Sequence, residues 1–559
     1  MSEKKVLKFE QPADFFYRSA QKMMDGGSFI NALSTIRRAV EIEPDNYEFS
    51  LCFAEVLTEL ARYEESNGVL FELIEKKEEL DADCYFCLGC NFMGLNDIHK
   101  ARESFEKYLA LSPDGEYSEE VEDFLYYFDT EEENIREFMD QLNGDGVYDK
   151  AHEGKKHLDR AEFEKAVEVL ESIEDESDDM AYAKNNLALA YYCLKNVDRA
   201  IEVTEKVLKK QANNLHANCN MAIFIRSKEG IDAAEQYIKK VLAYDTQTIE
   251  DIYKVGITLC ELKKHEEAIP YLRELAEYSP YDEKVLYYLA AALHNTDRPK
   301  EAINLLDSIK KLDHPGVIAE YYIKRINNEV QGHDEFVEMD YVYQVPANEA
   351  KKKIKYLNDC LKLPDSSFRG MWKEDREFLH TALWGLEYGD DNIKRAIAGM
   401  VAGFADQKAE KVLRAFLLKK DQPDDVKNDI FVLLKRMNAA EPYVSYIKGE
   451  VVEVKVGTYD EDGNELTEDY AKLFRVLYDV INKHYDEGLI KSALNVIQEY
   501  LEDDTNALVP ELVDEIAAAI LYVALKRTGK EEDMKKICGY FNAEEQIVVD
   551  YVYFMRDHV

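Results

Sequence analysis

Apolar residues run through the first part of the chain with two superposed periods. Locally they fall at helical spacing against Glu, Lys and Ala, which predicts amphipathic helices. The pattern then returns as a whole. Ala188, Ala222, Gly256 and Ala290 are each 34 residues apart, and twelve residues after each stands another alanine: Ala200, Ala234, Ala268 and Ala302. Larger side chains follow one turn on, at Thr204, Ile238, Leu272 and Leu306, and again at Val207, Val241, Leu275 and Ile309. Pro280 closes one unit and Pro315 falls just after the next.

The same frame fits the N-terminal third. Its units read Ala20, Ala32, Ile36, Ala39 and Pro44; then Ala54, Ser66, Leu70 and Leu73; then Leu88-Gly89, Ala101, Phe105, Tyr108 and Pro113. A partial unit follows at Gly154, Ala166, Leu170 and Ile173. Two antiparallel helices approach closely only where one side chain is small, so Gly or Ala recurs at each crossing. A proline after the second helix stops it by removing a donor. One such pair cannot bury its own face, and the pairs must stack.

These units resemble tetratricopeptide repeats over residues 12–332, with Tyr85 and Leu286 where the family's tryptophan usually stands. The resemblance implies an all-α, right-handed superhelix that binds peptides or helices of other proteins on its inner surface. Carried over position by position, it implies a groove of Tyr182, Asn185, Leu189, Tyr192, His216, Cys219, Arg226, Tyr253, Lys284, Tyr287 and His294. Chaperone-binding relatives clamp a carboxylate with Lys and Asn; here those positions hold Asn185 and Leu189, so chaperone docking is not implied.

Residues 1–11 read as a tail and 12–113 as repeats. Residues 114–150 read as a degenerate helical pair, because Asp114–Glu133 lacks Lys and Arg yet carries Phe124-Leu125-Tyr126-Tyr127-Phe128. Repeats resume over 151–332, ending in a capping helix, Val317–Val330, and residues 331–346 read as a linker. Within 333–440, Ile393-Lys394 and Val426-Lys427 each follow paired aspartates, Asp390-Asp391 and Asp424-Asp425, which resembles HEAT-type helical repeats. In 441–464, Tyr443–Ile447 and Glu450–Val456 flank Lys448-Gly449, a hairpin signature. The 465–559 region reads as five more helices.

The formal net charge of −43 disfavours phosphate backbones and anionic lipid. The N-terminus has no apolar signal region, and every apolar run is broken by charge before it could span a membrane. Nine dispersed cysteines suit a reducing compartment, so a cytoplasmic protein is expected.

Catalytic motifs are missing: no phosphate loop or Gly-x-Gly-x-x-Gly, and His265-Glu266-Glu267-Ala268-Ile269 lacks the second histidine of a zinc-protease helix. Asp460-Glu461-Asp462-Gly463-Asn464 lacks the closing Glu of a calcium loop. Cys84, Cys87 and Cys90 share one helix with no fourth ligand nearby, and are expected to be partly exposed. No catalytic residue, cofactor or metal is expected, and the partners are expected to be proteins. The alternative is a regulatory protein whose C-terminal helices contact nucleic acid, with the repeats as sensor. Against it, the last helix carries Glu544, Glu545, Asp550 and Asp557 against Arg556.

Overall fold

The computed structural model describes residues 11–76, 81–142, 147–173, 180–313, 316–457, 468–485, 488–501, 512–530 and 532–558. Among them are 29 helices and one two-stranded sheet, in two compact units, Met1–Glu453 and Val454–Val559. The Asp460–Asn464 stretch and Pro315 lie outside the described residues.

The first unit begins with three helical hairpins: α1 (Ala13–Asp25) with α2 (Phe29–Ile42), α3 (Tyr47–Glu59) with α4 (Tyr63–Lys76), and α5 (Ala82–Gly94) with α6 (Ile98–Leu111). Residues 118–142 then form one long helix, α7 (Ser118–Leu142), where the sequence pattern predicts a pair. The reason lies on one face: Phe124 and Phe128 stack on Phe105 of α6, while Tyr126 and Tyr127 stay exposed. Five hairpins follow: α8 (Val147–Asp159) with α9 (Phe163–Glu171), α10 (Ala181–Cys193) with α11 (Val197–Lys210), and α12 (Leu215–Glu229) with α13 (Ile231–Leu242). The last two pair α14 (Ile249–Glu261) with α15 (His265–Tyr278), and α16 (Glu283–Asn295) with α17 (Pro299–Leu312). Helix α18 (Val317–Val330) caps them.

Small residues at the crossings explain this packing. Ala20, Ala54, Ala188, Ala222 and Ala290 have no exposed surface, nor do Ala32, Ser66, Ala101, Ala166, Ala200, Ala234, Ala268 and Ala302. Asn46, Asp97, Asn196 and Asn214 cap helix starts by accepting from a backbone N–H three residues on. The turn inside each hairpin is a left-handed one. Ala61, Asn96, Ala161, Lys195, Lys263 and Asp297 occupy it with φ between 55 and 64°, and Gly27 in the first hairpin; the exception is the turn from α12 to α13, where Gly230 has φ 96° and ψ 173°.

Helices α19 (Ala347–Cys360), α20 (Asp365–Glu374), α21 (Arg376–Tyr388), α22 (Asp391–Ala402), α23 (Gln407–Leu417) and α24 (Asp424–Arg436) complete the unit with the hairpin β1 (Tyr443–Ile447) and β2 (Glu450–Val454). Lys448 and Gly449 both have positive φ, as a two-residue hairpin turn requires. The Asp390 carboxylate caps α22 through Ile393 N–H at 2.9 Å. The lysines that follow the aspartates point inward: Lys394 donates to Gln422 at 2.5 Å, and Lys427, with no exposed surface, to the Tyr446 carbonyl at 2.7 Å.

The second unit holds α25 (Glu468–His484), α26 (Gly488–Leu501), α27 (Val513–Arg527), α28 (Met534–Phe541) and α29 (Glu545–His558). Ile516–Leu521 are buried on every side of α27, which makes it the central helix.

The repeat array of the first unit closes on itself. Helix α2 packs against α17, and α4 against α23. Side chains from both ends converge at this seam. Arg62 pairs with Glu65 and with Glu283; Arg37 approaches Glu65 at 3.8 Å, and Lys419 pairs with Glu387 at 2.5 Å. Asp313, 6% exposed, accepts from Tyr343 at 2.8 Å. Four carboxyls thus meet three cations. Although burial opposes it, the charges of Arg62, Lys419 and Arg37 hold Glu65 down at about 2. Burial, reinforced by Asp313 and Glu65, pushes Glu283 up to about 7 despite Arg62.

A pH dependence follows, with a definite sign. A carboxyl whose folded pKa is raised stabilises the fold in its protonated form, so the contribution is complete below the unfolded value and lost as pH rises through about 7. Measured against Glu283→Gln, the native chain should lose stability between about pH 5 and about pH 8, by up to about 3 kcal/mol. Urea midpoints of both chains at each pH test this. A gap between them that stays constant with pH refutes the assignment.

Candidate protein-binding groove

The first helices α8, α10, α12 and α14 pack side by side in succession, and α16 follows against α15. On α16 the first-helix face is already occupied. Residues 336–345, instead of serving as a loose linker, run across α16 without helix or turn as far as Asp340 and then bend over 341–344 towards α21, the Gln344 N–H donating to the Val342 carbonyl at 2.7 Å. Asn295 holds Met339 by both backbone groups: its Nδ2 donates to the Met339 carbonyl at 2.9 Å, and its Oδ1 accepts the Met339 N–H at 2.8 Å. A carboxamide placed this way pairs with the backbone as a neighbouring strand would. The Tyr287 hydroxyl donates to the Asp340 carbonyl at 3.1 Å, and Arg325 to the Val337 carbonyl at 2.9 Å. His294 Nε2 lies 3.2 Å from the same Val337 oxygen.

Side chains add selectivity. The Glu338 carboxylate reaches Lys263 at 2.9 Å and His265 at 3.3 Å. Tyr341 lies 2.7 Å from His265 Nδ1 through its hydroxyl and packs edge-on to Tyr288. Phe336 stacks on His294 at 5.0 Å. Beyond Tyr341 the chain is anchored in the core: Gln344 is bonded to Tyr322, Trp384 and Tyr388, and Val345 is buried. Burial pushes the His294 and His265 imidazoles below the usual histidine range, which favours their neutral forms.

The sequence-derived groove residues fall into three groups. Tyr287 and His294, 0% and 3% exposed, lie beneath the extended segment rather than open to a partner. Asn185 and Cys219 are buried between hairpins, Asn185 donating to Asn214 at 3.2 Å; Leu189 packs with Leu158 and Ala166. Tyr192 stacks on Phe224 at 4.8 Å, and Arg226 donates to the Glu261 carbonyl. Tyr182 and Tyr253 are 42% and 49% exposed, and His216 and Lys284 are exposed as well.

Sequence reasoning missed Asn295, Tyr288 and the two residues one repeat and two repeats before Tyr288, Lys254 and Asn220. Lys254 donates to Asn220 Oδ1 at 3.2 Å, and Asn220 to the Asn185 carbonyl at 3.2 Å. The signal was available. Asn186, Asn220, Lys254 and Tyr288 share the 34-residue spacing.

Two other candidates carry no chemistry of their own. Cys84 and Cys87 are 1% and 9% exposed, not on an open face as the repeat frame suggested, and Cys90 is half-buried. Burial pushes the Cys90 thiol up to about 12 and Cys87 well above its usual range, so both stay protonated. Among the described residues, no three His, Cys, Asp or Glu side chains converge as a metal site would need, and no helix is long and apolar enough to cross a membrane. A cavity of about 460 Å³ lies at the seam between α3, α4 and α23, lined by Phe53, Leu57, Val69, Phe71 and Leu418.

Stacked helical hairpins with an extended segment seated on their first-helix face define a helical-repeat protein of the interaction-scaffold class. Residues 82–114, 153–214 and 259–317 each match a tetratricopeptide-repeat family model. Over these stretches the chain carries tetratricopeptide repeats. It is 28% identical over 192 residues to the TPR repeat-containing protein YvcD of Bacillus subtilis (strain 168), a match spanning 34% of this chain and 39% of that one. Among solved structures it is similar to the P58(IPK) TPR domain, at 16% identity and a TM-score of 0.25, covering 58% of this chain and 99% of that one. The TPR2AB domain of yeast Sti1, solved in complex with pHSP90, aligns at 17% identity and a TM-score of 0.20, covering 48% and 97% of the two chains. Repeats of this family are interaction modules and are typically not catalytic.

Proposed function

We propose that the chain is a cytoplasmic, non-catalytic scaffold that holds extended segments of partner proteins on the first-helix face of its repeats. The observation that carries this reading is the segment over α16. Its backbone is held by Asn295, Tyr287 and Arg325, groups that any extended peptide could satisfy. The face continues over α10, α12 and α14, where Tyr182 and Tyr253 offer large, stiff contact area at low entropic cost. Within the same stretch, among the described residues, Asn185 Oδ1 and Asn186 Nδ2 are buried without a hydrogen-bond partner, which costs free energy.

The test is affinity capture with the full chain and with a Tyr253→Glu, Lys254→Glu double variant, both checked for native helicity. Proteins retained by the native chain and depleted at least tenfold by the variant support the reading. If every captured protein binds both baits equally, the groove is not the binding surface. Retention of either bait on DNA at physiological salt, insensitive to the double variant, would favour nucleic acid over protein segments as the ligand.

A further inference from the structure

We infer that residues 335–342 stand in the place of a partner's segment, and that the partner presents an extended acidic stretch with a tyrosine three residues after an acidic residue. This rests on the groove reading above and adds to it the chemistry of the ligand and a competitor already built into the chain.

Residues 334–340 contain Asp334, Glu335, Glu338 and Asp340 and no Lys or Arg; facing them, Lys263 pairs with Glu338 at 2.9 Å, and Arg325, itself 3.3 Å from Glu329, reaches the Val337 carbonyl. In a chain of net charge −43, basic groups gathered around one acidic segment mark the sign of charge this face accepts. Glu338 and Tyr341, spaced by three, meet the same histidine: His265 Nε2 faces the carboxylate at 3.3 Å and Nδ1 faces the phenol at 2.7 Å. One ring thus reads both side chains. Between them, Asn295 reads the Met339 backbone, and the Met339 side chain, with no exposed surface, is the segment's one fully buried anchor before Tyr343.

The segment is also built to leave. Phe336, Val337 and Val342 are 60%, 53% and 62% exposed, so three of its apolar side chains gain little burial from staying. Its polar contacts can be returned in kind by another extended chain. The anchored part starts at Tyr343, whose hydroxyl bonds Asp313, and runs through Gln344 to Val345; this fixes the C-terminal limit of what can be displaced. A tethered competitor of this sort sets a threshold. Only a partner segment that outbids a ligand held at high effective concentration is bound.

The test uses the full chain, a variant with residues 335–342 replaced by an equal length of Gly and Ser, and a fluorescent peptide of the sequence of residues 333–344. Fluorescence anisotropy should show the peptide binding the Gly/Ser variant at least tenfold more tightly than the native chain. Adding Asn295→Ala to that variant should weaken binding at least tenfold, and so should reversing the charge of Glu338 in the peptide. If the Gly/Ser variant does not fold, Tyr341→Ser in the native chain replaces it. If neither folds, the segment is core and the inference fails. Equal peptide affinity for native and Gly/Ser chains, with native helicity in both, also overturns it. So does a native-chain dimer in light scattering that the peptide dissolves, since the segment would then serve a second copy. Loss of peptide binding with partner capture still sensitive to Tyr253→Glu, Lys254→Glu would sink this inference and leave the scaffold reading intact; loss of both would sink the scaffold reading itself.

Discussion

Replacing Arg62 with methionine should destabilise the first unit by about 3 kcal/mol, the lower end of what breaking a buried ion pair costs. The guanidinium serves two carboxylates that come from far apart in the chain, Glu65 in the first turn of the α4 helix that follows it and Glu283 at the start of α16. Methionine keeps most of the volume and removes only the charge and the donors. Glu65, with Arg37 left at 3.8 Å, and Glu283, with no comparable cation, are then enclosed without their partner. The lower end of the range applies because Glu65 keeps 31% of its side chain exposed and water can soften the loss. Two comparisons make the result interpretable. Arg18→Met, which removes a pair with Asp14 whose members are 73% and 57% exposed, should change stability by less than about 1 kcal/mol. Arg62→Met combined with Glu283→Met should recover part of the loss. Urea unfolding of the four chains measures this; a deficit no larger for Arg62→Met than for Arg18→Met would mean the seam carries no energy.

The second large effect separates two glycines at one repeat position. Gly89→Ala should cost about 3 kcal/mol, whereas Gly256→Ala should be neutral or stabilise by about 1 kcal/mol. A Cβ on Gly89 would sit 2.3 Å from Cε1 and 2.5 Å from Cδ1 of Phe105. That ring cannot move aside, since it stacks on Phe124 at 5.3 Å and has no exposed surface. A Cβ on Gly256 would meet Tyr271 Cβ at 3.4 Å and Leu275 Cδ1 at 3.7 Å, ordinary contacts, and alanine is the better helix former. Thermal melting of both variants decides it. Equal shifts of the same sign would show that the crossing distance is not what selects the residue.

Both glycines were legible as repeat positions, because a small side chain every 34 residues is a local constraint repeated eight times. The hairpin at Tyr443–Val454 was legible for a similar reason: Lys448-Gly449 between alternating β-branched strands has few other solutions. The left-handed turns were not. Lys195, Lys263 and Asp297 adopt φ of 57–64° without being glycine, because the two flanking helices over-determine the turn. The segment over α16 was misread because composition was weighed before period. Met339, Tyr341, Tyr343 and Val345 alternate with Asp340, Val342 and Gln344, a period-two pattern that specifies one inward edge, yet the many polar residues suggested a linker. The seam left no trace in the pattern at all. Arg62 and Glu283 are 221 residues apart, and nothing near either announces the other.

Helix α16 touches both. Glu283, its first residue, meets Arg62 at the seam, and Asn295, its last, grips Met339 on the groove face. Tyr343 reinforces the link by donating from the anchored end of the segment to Asp313. One rigid rod about 20 Å long therefore has a ligand at one end and a clasp at the other. Thermodynamic reciprocity then applies: a peptide that prefers one setting of the rod shifts the clasp by the same factor by which the clasp, and through Glu283 the proton concentration, shifts the peptide's affinity.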